Sequence, residues 1–161
     1  MTNDELMALV NRSLFADLGF LDAEGKMCIR RVFCTWHKGL GRHLISTNTG
    51  SFHVRCLRER PDACLYFADS EAFEGLCLTG KVILHQEKPW KQLLWHEQDV
   101  QYYPLGVDDP DYTVLEFAAE EASYYRFDGK GKLTKQEIGA YLPHAEFEDG
   151  YARVHGKETL G

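Results

Sequence analysis

The chain has 161 residues, 44% of them hydrophobic, which suits one compact domain with a real core and leaves too little for two. Eighteen Lys+Arg against 25 Asp+Glu give a net charge of −7, which argues against a nucleic-acid surface and makes any local basic cluster conspicuous. The first residues, MTNDELMALV, carry no basic leader, and no run approaches the ~20 apolar residues of a membrane span; a cytoplasmic protein with neither membrane nor nucleic-acid partner is expected. Five cysteines without a CxxC pair argue against a disulfide framework or a zinc knuckle, and buried thiols are expected.

In chain order, Thr2 and Glu5 form a T-x-x-E capping box, and Leu6, Leu9, Val10 and Leu14 recur at helical spacing. SLFADLGFLD and MCIRRVFCTWH, joined by AEGK, predict a hairpin, and KGLGR leads into HLISTN as the third strand of an antiparallel meander. A helix is expected from about Ser51 to Arg60, stopped by Pro61. ACLYFAD and LCLTGKVILH read as strands four and five, and a second helix is expected from about Pro89 to Tyr102. After the turn PLGVDDPD, YTVLEFAAEEASYYRF predicts a long last strand with a bulge or bend at residues 118–121. Six strands joined mainly by hairpins point to a small closed or half-closed antiparallel barrel. In the tail, DGKGKLTKQE resembles part of a calcium loop, but placing Gly131 and Glu137 in that frame puts Arg126 and Lys130 at ligand positions, so calcium is not expected. Ile138, Tyr141 and Leu142 are expected to pack on the barrel.

No G-x-S-x-G elbow marks a hydrolase, and His53 with Cys56 is too small a set for a metal site; none is expected. The cations are more informative. Arg30 and Arg31 are neighbours on one strand, so one points to each face, and a bare guanidinium on an apolar strand needs an anion. Ser46, Thr47, Asn48 and Thr49 end the next strand, Ser51 opens a helix whose first amides are free, and Arg55 follows one turn later. These residues fit a phosphate cradle; they fit cap and turn roles and a surface salt bridge equally well.

RRVFCTWH, LISTNTGSFHVRCLRE, PDACLYF, LTGKV and YYPLGVDDPDYTVLEF, in that order, resemble the pyridoxamine 5′-phosphate oxidase-like flavoproteins, particularly the general stress protein and nitroimidazole-reductase-like branch. The likeness covers residues 3 to 127 and implies a mainly β (α+β) fold, a six-stranded antiparallel split barrel with Greek-key features and two or three short flanking helices. Residues 128–161 then form an extension, partly helical, packed on the barrel or frayed. The resemblance also implies an FMN-binding homodimer with flavin sites between its subunits. Arg30, Thr47 and Ser51 match the family's phosphate contacts, with Ser46 and Asn48 beside them, and Val32 and Phe33 match the backbone that lines the isoalloxazine. Thr35, Phe52 and His53 stand where the family carries cations, and Arg31, Arg55 or a protonated His53 would compensate. Phe33, Trp36, Phe52, Trp95 and Tyr125 are the aromatic candidates for the ring's walls, the last two from the second subunit. The implied reaction passes electrons from a reduced nicotinamide to a small quinone, a nitro compound or oxygen, without the substrate residues of a true pyridoxamine 5′-phosphate oxidase. The alternatives are a flavin-binding, stress-related protein with little turnover and a haem-binding split barrel.

Overall fold

In the computed structural model, which describes residues 1–34, 36–140 and 146–150, the capping box forms as expected. Thr2 Oγ1 accepts from Glu5 N and the Glu5 carboxylate accepts from Thr2 N at 2.8 Å, starting α1 (Asn3–Arg12). Its apolar stripe drives Leu6 and Leu9, both fully buried, into the barrel, each contributing about 1.5–3 kcal/mol of burial.

The strands are β1 (Phe15–Leu21), β2 (Met27–Phe33), β3 (Trp36–Lys38), β4 (Arg42–Asn48), β5 (Asp62–Asp69), β6 (Glu74–His85), β7 (Tyr112–Arg126), β8 (Gly129–Leu133) and β9 (Glu148–Asp149). Between them lie α2 (Phe52–Glu59), α3 (Lys88–Leu94), a 3₁₀ turn at Glu97–Gln101 and α4 (Lys135–Ala140). All ladders are antiparallel and run β2-β1-β5-β6-β7-β4-β3-β9, with β8 on the outer part of β7. The inward side chains Leu18, Leu65, Phe67, Leu76, Leu78 and Phe117 fill the curled sheet and are all inaccessible to solvent.

The expected barrel is present, with three differences. Among the described residues, nine strands replace six. The run MCIRRVFCTWH is two strands, and β3 folds back on β4 through Gly39, whose φ of 58° suits a residue without Cβ. The meander is therefore broken: β4 pairs along its whole length with β7, from Arg42↔Ala118 to Asn48↔Tyr112, and not with β2. A hairpin-by-hairpin reading fails here because β7 is long enough to offer one edge to β6 and the other to β4. The expected helix from Pro89 to Tyr102 stops at Leu94; Trp95 is extended, and His96 N starts the 3₁₀ turn by donating to Asp99 Oδ2 at 2.9 Å. In the tail, the calcium-like segment forms the β7–β8 hairpin and sets Ile138 into the core. Tyr141 and Leu142 lie outside the described residues.

The expected irregularity at 118–121 is a bulge. Thr79 pairs with Glu121 and Gly80 with Ala119, leaving Glu120 extra. A Cβ on Gly80 would stand 1.9 Å from the carbonyl oxygen of Ala118. Gly80→Ala is expected to lower stability by about 1–3 kcal/mol, read as a lower urea midpoint with an unchanged slope.

Candidate functional site

β2 and β4 come into contact, yet no ladder joins them. β2 pairs on one side only, with β1, and β4 beyond Leu44 pairs only with β7, so the facing edges of β2 and of Ser46–Asn48 keep unshared backbone donors and acceptors among the described residues. Strand alternation then sorts the side chains. Arg30 and Val32 share the inward face of β2 and Thr47 that of β4, whereas Phe33, Ser46 and Asn48 point the other way.

At the inward corner, the imidazole of His53 closes on two hydroxyls. Its Nε2 lies 2.8 Å from Thr47 Oγ1 and 3.3 Å from Ser51 Oγ. Ser51 spends its only hydroxyl proton on the carbonyl of Asn48 at 2.7 Å, so it can only accept from His53, which puts a proton on Nε2. The same turn of Ser51 leaves the first amides of α2 without a side-chain cap. Arg30 lies over two rings, its guanidinium carbon 5.9 Å from the centroid of Phe20 and 5.6 Å from that of Phe52. Nη1 donates to Ile29 O, and no carboxylate pairs with Arg30 among the described residues. Burial, and then Arg30, hold the pKa of His53 below the usual 6.5. A neutral imidazole, an unpaired guanidinium, two hydroxyls and a helix start thus converge on one corner.

On the other side of the gap, Phe33, Ser46 and Asn48 line a cavity of about 690 Å³ together with His96, Tyr102 and Tyr103. Such a volume suits a ring system of three fused rings. Val32 is buried beneath the corner.

The remaining candidates lie elsewhere. Arg31 turns outward, pairs with Asp17 at 3.1 Å and lies over Phe15. Arg55 lines a separate cleft of about 480 Å³ between α2 and the β1–β2 turn, beside Asp22 and Arg58. Trp95 packs edge-on against Tyr112 at 5.2 Å, and Trp36 joins Leu44, Leu94 and Val114. Tyr125 sits at the far end of β7, exposed and edge-on to Phe73. Thr35 lies outside the described residues. Among those described, no group of three or more His, Cys, Asp or Glu is placed to hold a metal ion, and no helix is long and apolar enough to cross a membrane.

The sequence reading missed Phe20, the ring beneath Arg30, although its place in the β1 alternation gives it an inward face. It also missed Asp111. That carboxylate accepts from Asn48 Nδ2 at 2.6 Å and from Gly50 N at 3.2 Å, while Thr49 N donates to the Asp111 carbonyl. Asp109, buried beside it, accepts from Leu105 N and Asp111 N, and its carbonyl accepts from the buried ammonium of Lys91 at 3.0 Å. GVDDPDY is therefore the clamp that holds the strand-to-helix corner in shape.

Residues 4–139 match the family model described as pyridoxamine 5′-phosphate oxidase like. The chain belongs to this family. A Clostridium acetobutylicum protein related to general stress protein 26 of Bacillus subtilis is 36% identical, over 84% of this chain and 96% of its own, with a TM-score of 0.77. Two more distant structures share the fold. A pyridoxamine 5′-phosphate oxidase-related, FMN-binding protein of Nostoc punctiforme is 13% identical over 91% of this chain and 94% of its own, with a TM-score of 0.65. A haem-binding protein of Mycobacterium smegmatis is 16% identical over 86% of this chain and 60% of its own, with a TM-score of 0.69. No curated protein matches the chain.

Asp111→Ala leaves Asn48 Nδ2 and Gly50 N without their acceptor. It is expected to cost about 1–3 kcal/mol of stability in urea unfolding and to raise amide exchange at residues 48–51.

Proposed function

We propose that the protein binds FMN at the β2/β4 gap, with the phosphate at the inward corner and the ring system toward the outer cavity. We further propose that it acts as an oxidoreductase, passing electrons from a reduced nicotinamide to a small quinone, a nitro compound or oxygen. The observation that carries the reading is Arg30, a guanidinium with no carboxylate partner among the described residues, facing the Thr47, Ser51 and His53 groups at an uncapped helix start. The donor set fits a phosphate dianion: one fixed cation, hydroxyls that can turn, free amides and an imidazole able to take a proton. A relative described as FMN-binding shares the fold, which favours the same cofactor.

Bound FMN would supply the electron chemistry. The chain's own residues bind and orient. Arg30, placed over Phe20 and Phe52, fixes the anion end, the open edges of β2 and β4 offer amides and carbonyls to the polar rim of a flat ring, and Phe33 covers one side. The haem alternative needs a histidine free to meet iron. Among the described residues, His43 is buried and held by Leu40 O, His85 is tied to Glu116 and His53 lies among hydroxyls, whereas His96 stands on the wall of the outer cavity; the flavin reading rests on the phosphate cradle and not on excluding a histidine ligand.

A homodimer belongs to the same proposal. Phe15, Met27, Ile29 and Phe33 leave an apolar face on β1 and β2 exposed, with Met27 at 89% and Ile29 at 67%. A second copy of the chain is the proposed cover. Tyr125, at the far end of β7, and Trp95 would then serve the other copy's flavin.

The purified protein, loaded with FMN and desalted, is expected to keep a flavin spectrum; a Soret band after growth with haem, and no flavin uptake, would reverse the assignment. Arg30→Ala with Thr47→Ala is expected to raise the FMN Kd at least about tenfold. Bleaching by NADH or NADPH without oxygen tests the enzyme reading, and no reduction by either would leave a binding protein. A bound anion favours the charged imidazole, which burial and then Arg30 hold below its usual range in the free protein, so affinity should rise as pH falls into the acid range and level off on the alkaline side. Because the FMN phosphate itself titrates near pH ~6, the effect is read as the ratio of wild-type to His53→Gln Kd values.

A further inference from the structure

Two of the five cysteines meet. Cys64 lies opposite Thr79 and Cys77 opposite Tyr66 in the β5–β6 ladder, which puts both thiols on the outward face as diagonal neighbours. Leu65, Leu76 and Leu78, next to them in sequence, point into the core and are fully buried. The two thiols lie close enough to perturb each other's protonation, and both are half-buried.

The surroundings distinguish them. Cys64 Sγ lies over the backbone of Gly19 on β1, so close that a Cβ there would stand 2.5 Å from the sulfur. Hydrogen bonds from the Cys77 thiol, and then from the Gly19 amide, lower the pKa of Cys64, while sharing its proton with Cys64 and then burial raise that of Cys77. Cys77 borders an open cleft of about 470 Å³ lined also by Tyr66, Ser123, Tyr125 and Lys130. Cys34 is a contrast: it is enclosed beside His43, and burial pushes its thiol up to about 12.

We propose that Cys64 and Cys77 form a redox-active dithiol that a hydroperoxide closes into a cross-strand disulfide. The Cys64 thiolate attacks the terminal peroxide oxygen. The O–O bond breaks, the alcohol or hydroxide leaves, and Cys64 is oxidised to a sulfenic acid as the peroxide is reduced. The Cys77 sulfur then attacks Cys64 Sγ, the S–OH bond breaks, and the hydroxyl leaves as water with the Cys77 proton. Two electrons pass to the peroxide in all, and a dithiol reductant of low potential reopens the bridge. Closure joins neighbouring side chains on one face of adjacent strands, and the missing Cβ at Gly19 makes the room that the Cys64 sulfur occupies.

The test uses the native, full-length protein with hydrogen peroxide, followed by alkylation of free thiols and peptide mapping. The expected result is a Cys64–Cys77 linked peptide, loss of two hydrogens in the intact mass, and reversal by dithiothreitol. Cys77→Ser is expected to stall at a sulfenic acid on Cys64 that dimedone traps, and Cys64→Ser to slow peroxide consumption by about tenfold or more. A disulfide mapping to another pair would overturn the proposal. So would the absence of a bridge in the wild-type protein, or a sulfenic acid that accumulates on Cys77 first. Mapping the wild-type chain decides the matter even if a variant fails to fold.

Discussion

A sheet that curls but does not close sets the terms for the rest of this molecule. Backbone amides and carbonyls resist staying unpaired, yet among the described residues no ladder joins the facing edges of β2 and β4. Ordinary barrels remove their edges by pairing them. Here β4 is drawn across to β7, so β2 is left as one end of the sheet with its outer edge facing the gap. The cavity bordered by Phe33 and Ser46 and the corner at Thr47 lie on opposite faces of that gap.

Arg30 and Arg31 show how a single residue of register divides chemistry from scaffolding. Arg31 faces out and finds Asp17, an exposed pair that contributes little to stability. Arg30 faces in, rests on two aromatic rings and keeps its charge available. Asp111 serves the same corner from the opposite side: by taking Asn48 and Gly50 it fixes the loop without neutralising the guanidinium.

What could be read in the sequence was whatever local spacing dictates. The Thr2–Glu5 capping box, the β1–β2 hairpin, the helix between Ser51 and Pro61 and the bulge near Glu120 all announce themselves within a few residues. Alternation and a helix start brought the cations and hydroxyls to one corner but left Arg30 and Arg31 as equals; the choice of Arg30, Thr47 and Ser51 came from the family resemblance. Pairing across long stretches of chain was not legible. No local pattern says that β4 prefers β7 to β2, that Trp95 ends a helix, or that the calcium-like tail zips onto β7. The clamp at Asp111 escaped notice because its composition is that of any turn, and its role emerges only when the chain brings it to Asn48.

The length of β7 bears on how such a chain comes to be made. Its ladders reach back to β6 and β4 and forward to β8, so it is the last large piece the barrel needs, and it lies in the final third of the chain. On a ribosome, β1–β2 and β5–β6 can form as local hairpins, but β4 has no partner of its own length until residues 112–118 emerge. An interval during synthesis therefore exposes an apolar strand, Leu44 and Ile45 included, with nothing to cover it. The strand that completes the fold also sets the moment at which the nascent protein stops being a target for chaperones.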